Sequence, residues 1–96
     1  SKGALNAMTF GLARALAPKV RVNAICPGFI DSPWFDKLGY AGGKDKLRDH
    51  IAATTPLKFA SSAEDVAGSA LFLGSRAALP ITGETLLVDA GLHLGA

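Results

Sequence analysis

A chain of 96 residues sits at the lower end of one domain and buries only about 60 to 65% of its unfolded surface even when well packed, so more than one independent core is excluded. Apolar residues make up 49% and charged residues 19%, a globular composition whose thin supply of charge points to a surface that something else covers. The net charge of +2 arises from ten basic and eight acidic residues with no basic stripe, and no apolar run nears the roughly 18 residues of a membrane span, so neither nucleic acid nor a membrane is expected as a partner.

From Lys2 to Leu16 the apolar positions Leu5, Met8, Leu12 and Leu16 recur at spacings of three and four, one face of a helix. Gly3, Ala7, Gly11 and Ala15 fall four apart on another line, a row of small side chains on which a second backbone can pack closely. A helix carrying such a row is either packed simply in its own core or packed closely on a second helix or subunit. Pro18 ends this helix. Val20, Val22, Ala24 and Ile25 then read as a short strand that stops at Cys26, directly before Pro27-Gly28. Ser32-Pro33 is a helix start, a capping hydroxyl followed by proline at the first helical position, and it leads into Trp34, Phe35 and Leu38.

The run Gly39-Tyr40-Ala41-Gly42-Gly43 breaks that short helix, and a further helix is expected from about Lys44 to Ala53, with Leu47 and Ile51 four apart. Residues 33–55 therefore have the composition of a mobile flap. Ser61 with Glu64 and Ser62 with Asp65 form two overlapping capping boxes that open a helix through Val66, Ala70 and Leu73, closed by Gly74. Thr82-Gly83 is a turn, and Thr85 to Val88 is a second short strand, apolar on both faces. Two such strands separated by helices indicate a parallel sheet covered on both sides, an α/β architecture. The single cysteine rules out an internal disulfide, and with His50 and His93 it offers no ligand spacing for a metal. Cys26 reads as a small buried hydrophobe, and the two histidines as surface or interface residues.

The order helix, strand, Pro-Gly, flap, helix, strand resembles the carboxyl half of the short-chain dehydrogenase/reductases. "SKGAL" at Ser1 to Leu5 is similar to the end of that family's Tyr-x-x-x-Lys segment, and "RVNAICPGFIDS" at Arg21 to Ser32 to its sixth strand and Pro-Gly loop. "SSAEDVAGSALFLGS" at Ser61 to Ser75 resembles its penultimate helix, and "ITGETLLVDAG" at Ile81 to Gly91 its last strand. Each motif is weak alone; in this order and spacing they are specific. The resemblance implies that residues 1–96 are the C-terminal part of a Rossmann-like, doubly wound parallel sheet that binds NAD or NADP at the carboxyl ends of its strands.

By the same resemblance Lys2 is the catalytic lysine, with its tyrosine partner four residues earlier, before Ser1. That spacing puts a cation beside a phenol on one helix face, which lowers the phenol's pKa so that it can exchange a proton with the carbonyl oxygen. The family's lysine also holds the nicotinamide ribose. Pro27, Gly28, Phe29, Ile30 and Ser32 correspond to the loop beneath the nicotinamide, with Ile30 offering backbone groups to the carboxamide. Ser32 is equally placed to act only as the cap of the flap helix. Trp34, Phe35 and Leu38 lie where the family has its substrate lid, or they pack the flap onto the body.

The expected activity of the intact protein is hydride transfer between the dinucleotide and a ketone or secondary alcohol, with no metal, in a cytoplasmic homodimer or homotetramer. A lyase or epimerase on the same fold and a noncatalytic interaction module are the alternatives. The glycine-rich phosphate loop, the catalytic serine and the tyrosine do not occur in these residues, so the 96-residue chain is expected to be an inactive fragment that folds poorly alone.

Overall fold

Lys2–Leu16 form a helix (α1), as the alanine- and leucine-rich sequence favours, and the computed structural model describes residues 2–28, 30–31 and 43–95. After α1 come strand β1 (Ala24–Pro27), strand β2 (Ile30–Asp31), helix α2 (Gly43–Thr54) and strand β3 (Ser61–Ser62). Helix α3 (Ala63–Leu73), a 3₁₀ turn at Arg76–Ala78, strand β4 (Thr85–Val88) and a second 3₁₀ turn at Leu92–Leu94 complete the order. The strands pair as β1 with β4 and β2 with β3, and the chain divides into two compact units, residues 1–26 with 68–87 and residues 27–67 with 88–96.

In the first unit, β1 and β4 are joined by chain segments far apart in sequence. Ala24 N–H donates to the Glu84 carbonyl at 2.9 Å, and Gly83 N–H donates to the Val22 carbonyl at 2.8 Å. Upstream of β1 side chains replace the ladder. The Asn23 amide donates to the Ile81 carbonyl at 3.1 Å and accepts from Glu84 N–H at 3.0 Å. Val22 N–H donates to Thr82 Oγ1 at 3.1 Å, and the Arg21 guanidinium reaches the same Ile81 carbonyl at 3.1 Å. The regular strand therefore begins at Ala24, four residues later than the alternation from Val20 suggests. Residues 20–23 are tied by a mixture of bonds rather than by a continuous ladder: the Val22 carbonyl accepts from Gly83 N–H and Val20 N–H donates to the Leu16 carbonyl, while the Thr82, Arg21 and Asn23 side chains make the rest.

The buried side of α1 is not its leucine face. Thr9 and Ala13 are 4% and 5% exposed, whereas Leu5, Met8, Leu12 and Leu16 are all exposed, Met8 by 56%. Those four side chains thus form no core face within the described residues. What α1 turns inward is a polar and small surface: a β-carbon on Gly83 would lie 3.6 Å from that of Ala13, and Thr85 Oγ1 donates to Asn6 Oδ1 at 3.2 Å. The buried Thr9 hydroxyl is satisfied within the helix by the Leu5 carbonyl at 2.8 Å. The small-residue row is open too, with no atom within 4 Å of a β-carbon built on Gly3 or Gly11. On α3 only Leu73 is buried, while Leu71 is 77% exposed.

In the second unit, α2 runs where the Leu47–Ile51 spacing predicts and ends in a knotted turn. Thr55, 2% exposed, donates its hydroxyl to the Phe59 carbonyl at 3.2 Å, and Lys58 N–H returns to the Thr55 carbonyl at 3.0 Å. Of the two predicted capping boxes the second forms: Ser62 N–H donates to Asp65 Oδ2 at 2.8 Å, and Asp65 N–H to Ser62 Oγ at 3.2 Å. Ser61 is instead buried in β3, opposite Ile30 in a parallel register that also pairs Asp31 with Ser62.

Candidate active site

β1 ends on a residue that cannot donate and a residue with no side chain. Pro27 closes the strand and Gly28 follows it. Gly28 N–H donates to the Val88 carbonyl at 3.3 Å, four residues on from the Ala24–Glu84 bond in both strands, so β1 and β4 run parallel. A β-carbon on Gly28 would come within 2.8 Å of the Asp89 β-carbon and 3.3 Å of its α-carbon. Gly28 has no left-handed φ, so its requirement for glycine is one of space. The chain's own Asp89 makes the close approach on that side.

Asp89 is fixed in turn. Its Oδ1 accepts from Gly91 N–H at 3.0 Å and its Oδ2 from His93 N–H at 3.1 Å, while His93 Nδ1 lies 2.9 and 3.0 Å from the two oxygens. Burial of the carboxyl, whose side chain is 9% exposed, pushes its pKa up. The hydrogen bonds from the His93 ring, Gly91 N–H and His93 N–H outweigh burial and hold it below the ordinary carboxylate value. His93 is exposed, as a surface residue should be, and is in addition the partner of an acid. The signal was the Asp-x-x-x-His spacing, hidden because Asp89 to His93 carries no helical pattern.

The backbone around this pair is held in unusual conformations. Ala90 and Gly91 follow with φ of +56° and +88°, and Lys58 has φ of +61°. Leu57 N–H donates to the Ala90 carbonyl at 3.1 Å, and a β-carbon on Gly91 would stand 3.0 Å from two ring carbons of Pro56.

The predicted site residues fall as follows. Pro27, Gly28 and the backbone of Ile30 are in the second unit, with Ile30 held in β2 opposite Ser61. Lys2 is the first residue of α1, in the other unit. Phe29, Ser32, Trp34, Phe35 and Leu38 lie outside the described residues. Cys26 is buried. Asp89, Gly91 and Asn23, whose side chains or lack of them organise the strand ends, carry no signature of their own in a single sequence. Among the described residues no group of acidic, histidine or cysteine side chains is arranged to hold a metal ion, and no helix is long and apolar enough to cross a membrane.

Comparison with known proteins places this geometry. The family model described as enoyl-(acyl carrier protein) reductase matches residues 1–93. The 3-oxoacyl-[acyl-carrier-protein] reductase FabG of Rickettsia prowazekii is 41% identical over 93 residues, which cover 96% of this chain and 36% of that protein. The short-chain dehydrogenase/reductase of Brucella melitensis, described as a glucose/ribitol dehydrogenase, superimposes with a TM-score of 0.81 at 40% identity, over 95% of this chain and 35% of that one. A small-chain dehydrogenase in complex with NADPH gives a TM-score of 0.86 at 33% identity, over 97% and 41%. The chain thus spans little more than a third of the length of these relatives. Its α/β fold is that of a Rossmann-like sheet, and the chain belongs to the short-chain dehydrogenase/reductase family.

Proposed function

We propose that this chain is the carboxyl-terminal part of an NAD(P)-dependent oxidoreductase that moves hydride between the nicotinamide and a ketone or secondary alcohol. The observation that carries the reading is the end of a parallel strand at Pro27-Gly28, where Pro27 has no N–H to donate, Gly28 N–H is taken up by the Val88 carbonyl, and a turn locked by a carboxylate fills the side on which Gly28 has no β-carbon. Such a surface suits a flat ring laid against the carboxyl end of a sheet. The residues present fit a nicotinamide, and the NADPH-bound relative supports the choice of cofactor.

When bound, the dinucleotide supplies the hydride. Pro27, Gly28, Phe29 and Ile30 would hold the nicotinamide ring, Ile30 through its backbone N–H and C=O, and Ser32 would add a hydroxyl donor. Lys2 holds the ribose hydroxyls and lowers the pKa of a tyrosine supplied by residues before Ser1, so that the phenol carries the proton to or from the carbonyl oxygen. Trp34, Phe35 and Leu38 are the candidates in the sequence for the apolar side chains that would exclude water from the reacting carbon. Assembly of the intact protein into a homodimer or homotetramer, which coexists with catalysis, is part of the same proposal.

The test is titration of the full-length protein with NADPH and NADH, followed by absorbance at the reduced-nicotinamide band with a panel of ketones. Binding of one dinucleotide and its ketone-dependent oxidation are expected. A folded full-length protein that binds neither dinucleotide would overturn the reading.

A further inference from the structure

The turn that follows β4 touches two separate parts of the second unit. On one side Val88 accepts from Gly28 N–H at 3.3 Å, and Asp89 fills the space a side chain at Gly28 would need. On the other, the Ala90 carbonyl accepts from Leu57 N–H at 3.1 Å, and Gly91 packs against Pro56, directly after α2. To face both, the chain takes two consecutive left-handed residues, Ala90 and Gly91, the first of which carries a β-carbon that disfavours this conformation. The Asp89 carboxylate holds that path, gathering Gly91 N–H, His93 N–H and the His93 ring on its two oxygens.

We propose that Asp89, oriented by His93, is a positioning residue that ties Pro27-Gly28 to the segment at the end of α2, so that the strand end under the proposed cofactor and the chain following α2 are set by one carboxylate. Asp89 does not touch the reacting groups. It acts through the backbone amides of Gly28 and Leu57, bonded to the Val88 carbonyl at the end of β4 and to the Ala90 carbonyl of the turn it fixes. The cofactor half of this inference rests on the function proposed above; the backbone half does not.

Asp89→Ala, Asp89→Asn and His93→Ala in the full-length protein separate the two halves. Amide hydrogen exchange at Gly28 and Leu57 is measured without any ligand, and dissociation constants for NADPH and NADH are measured alongside. Asp89→Ala should speed exchange at both amides and raise the dinucleotide Kd by about tenfold or more, a loss of roughly 1.4 kcal/mol. His93→Ala should move both readouts the same way by less. Leu73→Ala, buried in α3, should lower stability yet leave the Kd unchanged, which a merely destabilising role for Asp89 would not predict. If Asp89→Ala does not fold, Asp89→Asn, which keeps one acceptor, carries the test with smaller shifts in the same direction. Wild-type exchange at Gly28 and Leu57 in the folded variants would overturn the proposal, as would faster exchange with an unchanged Kd. If the wild-type protein binds neither dinucleotide, the proposed function fails, and the exchange measurement alone decides whether Asp89 ties the two segments.

Discussion

Gly28→Ala adds one methyl group at the point of closest approach in the site. The new β-carbon would sit 2.8 Å from that of Asp89, against about 3.4 Å for ordinary contact, so the two must part by 3.4 − 2.8, or about 0.6 Å. Neither is free to give way: Gly28 is bonded to the Val88 carbonyl, and Asp89 is held by Gly91 and His93. Overpacking of this kind costs about 1 to 3 kcal/mol. Alanine also restricts the unfolded chain, which returns about 0.4 to 1 kcal/mol because the native φ at this position is not left-handed. Taken at the middle of the two ranges, the expected net loss is about 1.3 kcal/mol. Gly68→Ala is the control, since it lies in α3 with no atom within 4 Å of the added carbon and should gain about 0.8 to 1 kcal/mol from helix propensity alone. Urea unfolding of the full-length protein measures both, with a change in midpoint at constant slope as the readout. Equal stability of Gly28→Ala and wild type, or changes of the same sign in the two variants, would refute the packing argument.

Ser62→Ala should cost about 1 kcal/mol in the same assay by removing the cap that receives Asp65 N–H, with Ser62→Thr restoring most of it. Asp89 gives an acid limb to stability. Its folded pKa lies below the ordinary 3.8, so its contribution is full above that value and is lost as pH falls through the folded one, where the unfolded chain binds more protons. Urea midpoints taken downward from about pH 6 should therefore fall less steeply at the acid end in Asp89→Asn than in wild type. Lys2→Ala in the full-length protein should cut kcat by about a hundredfold or more and weaken dinucleotide binding; unchanged kinetics would remove Lys2 from the site.

Local patterns were readable wherever the signal and its cause lie within a few residues. α2, β4 and the Ser62–Asp65 box follow from side-chain spacing and capping chemistry. Strand β1 was read four residues too early because the groups that satisfy residues 20–23 come from Ile81, Thr82 and Glu84, beyond any local pattern. The leucine face of α1 is a true helical stripe that faces outward; periodicity reports that a face is apolar and does not report what covers it. At the candidate site Pro27-Gly28 stood out as punctuation, but the reason glycine is required there, the approach of Asp89 from 61 residues later, belongs to the tertiary structure. The same holds for the Asp89–His93 pair, which forms in a turn with no periodicity to announce it.

The Asn23 amide, bridging the Ile81 carbonyl and Glu84 N–H, has a bearing on how the protein is made. Its partners lie 58 and 61 residues along the chain, and closing a loop of that length costs roughly 3 to 4 kcal/mol before any strand pairing repays it. Because synthesis runs from the amino end, β1 leaves the ribosome long before the segment that will stitch it in place. This part of the first unit can lock only when β4 has emerged, so chaperones would meet it as a late-closing stretch of nascent chain.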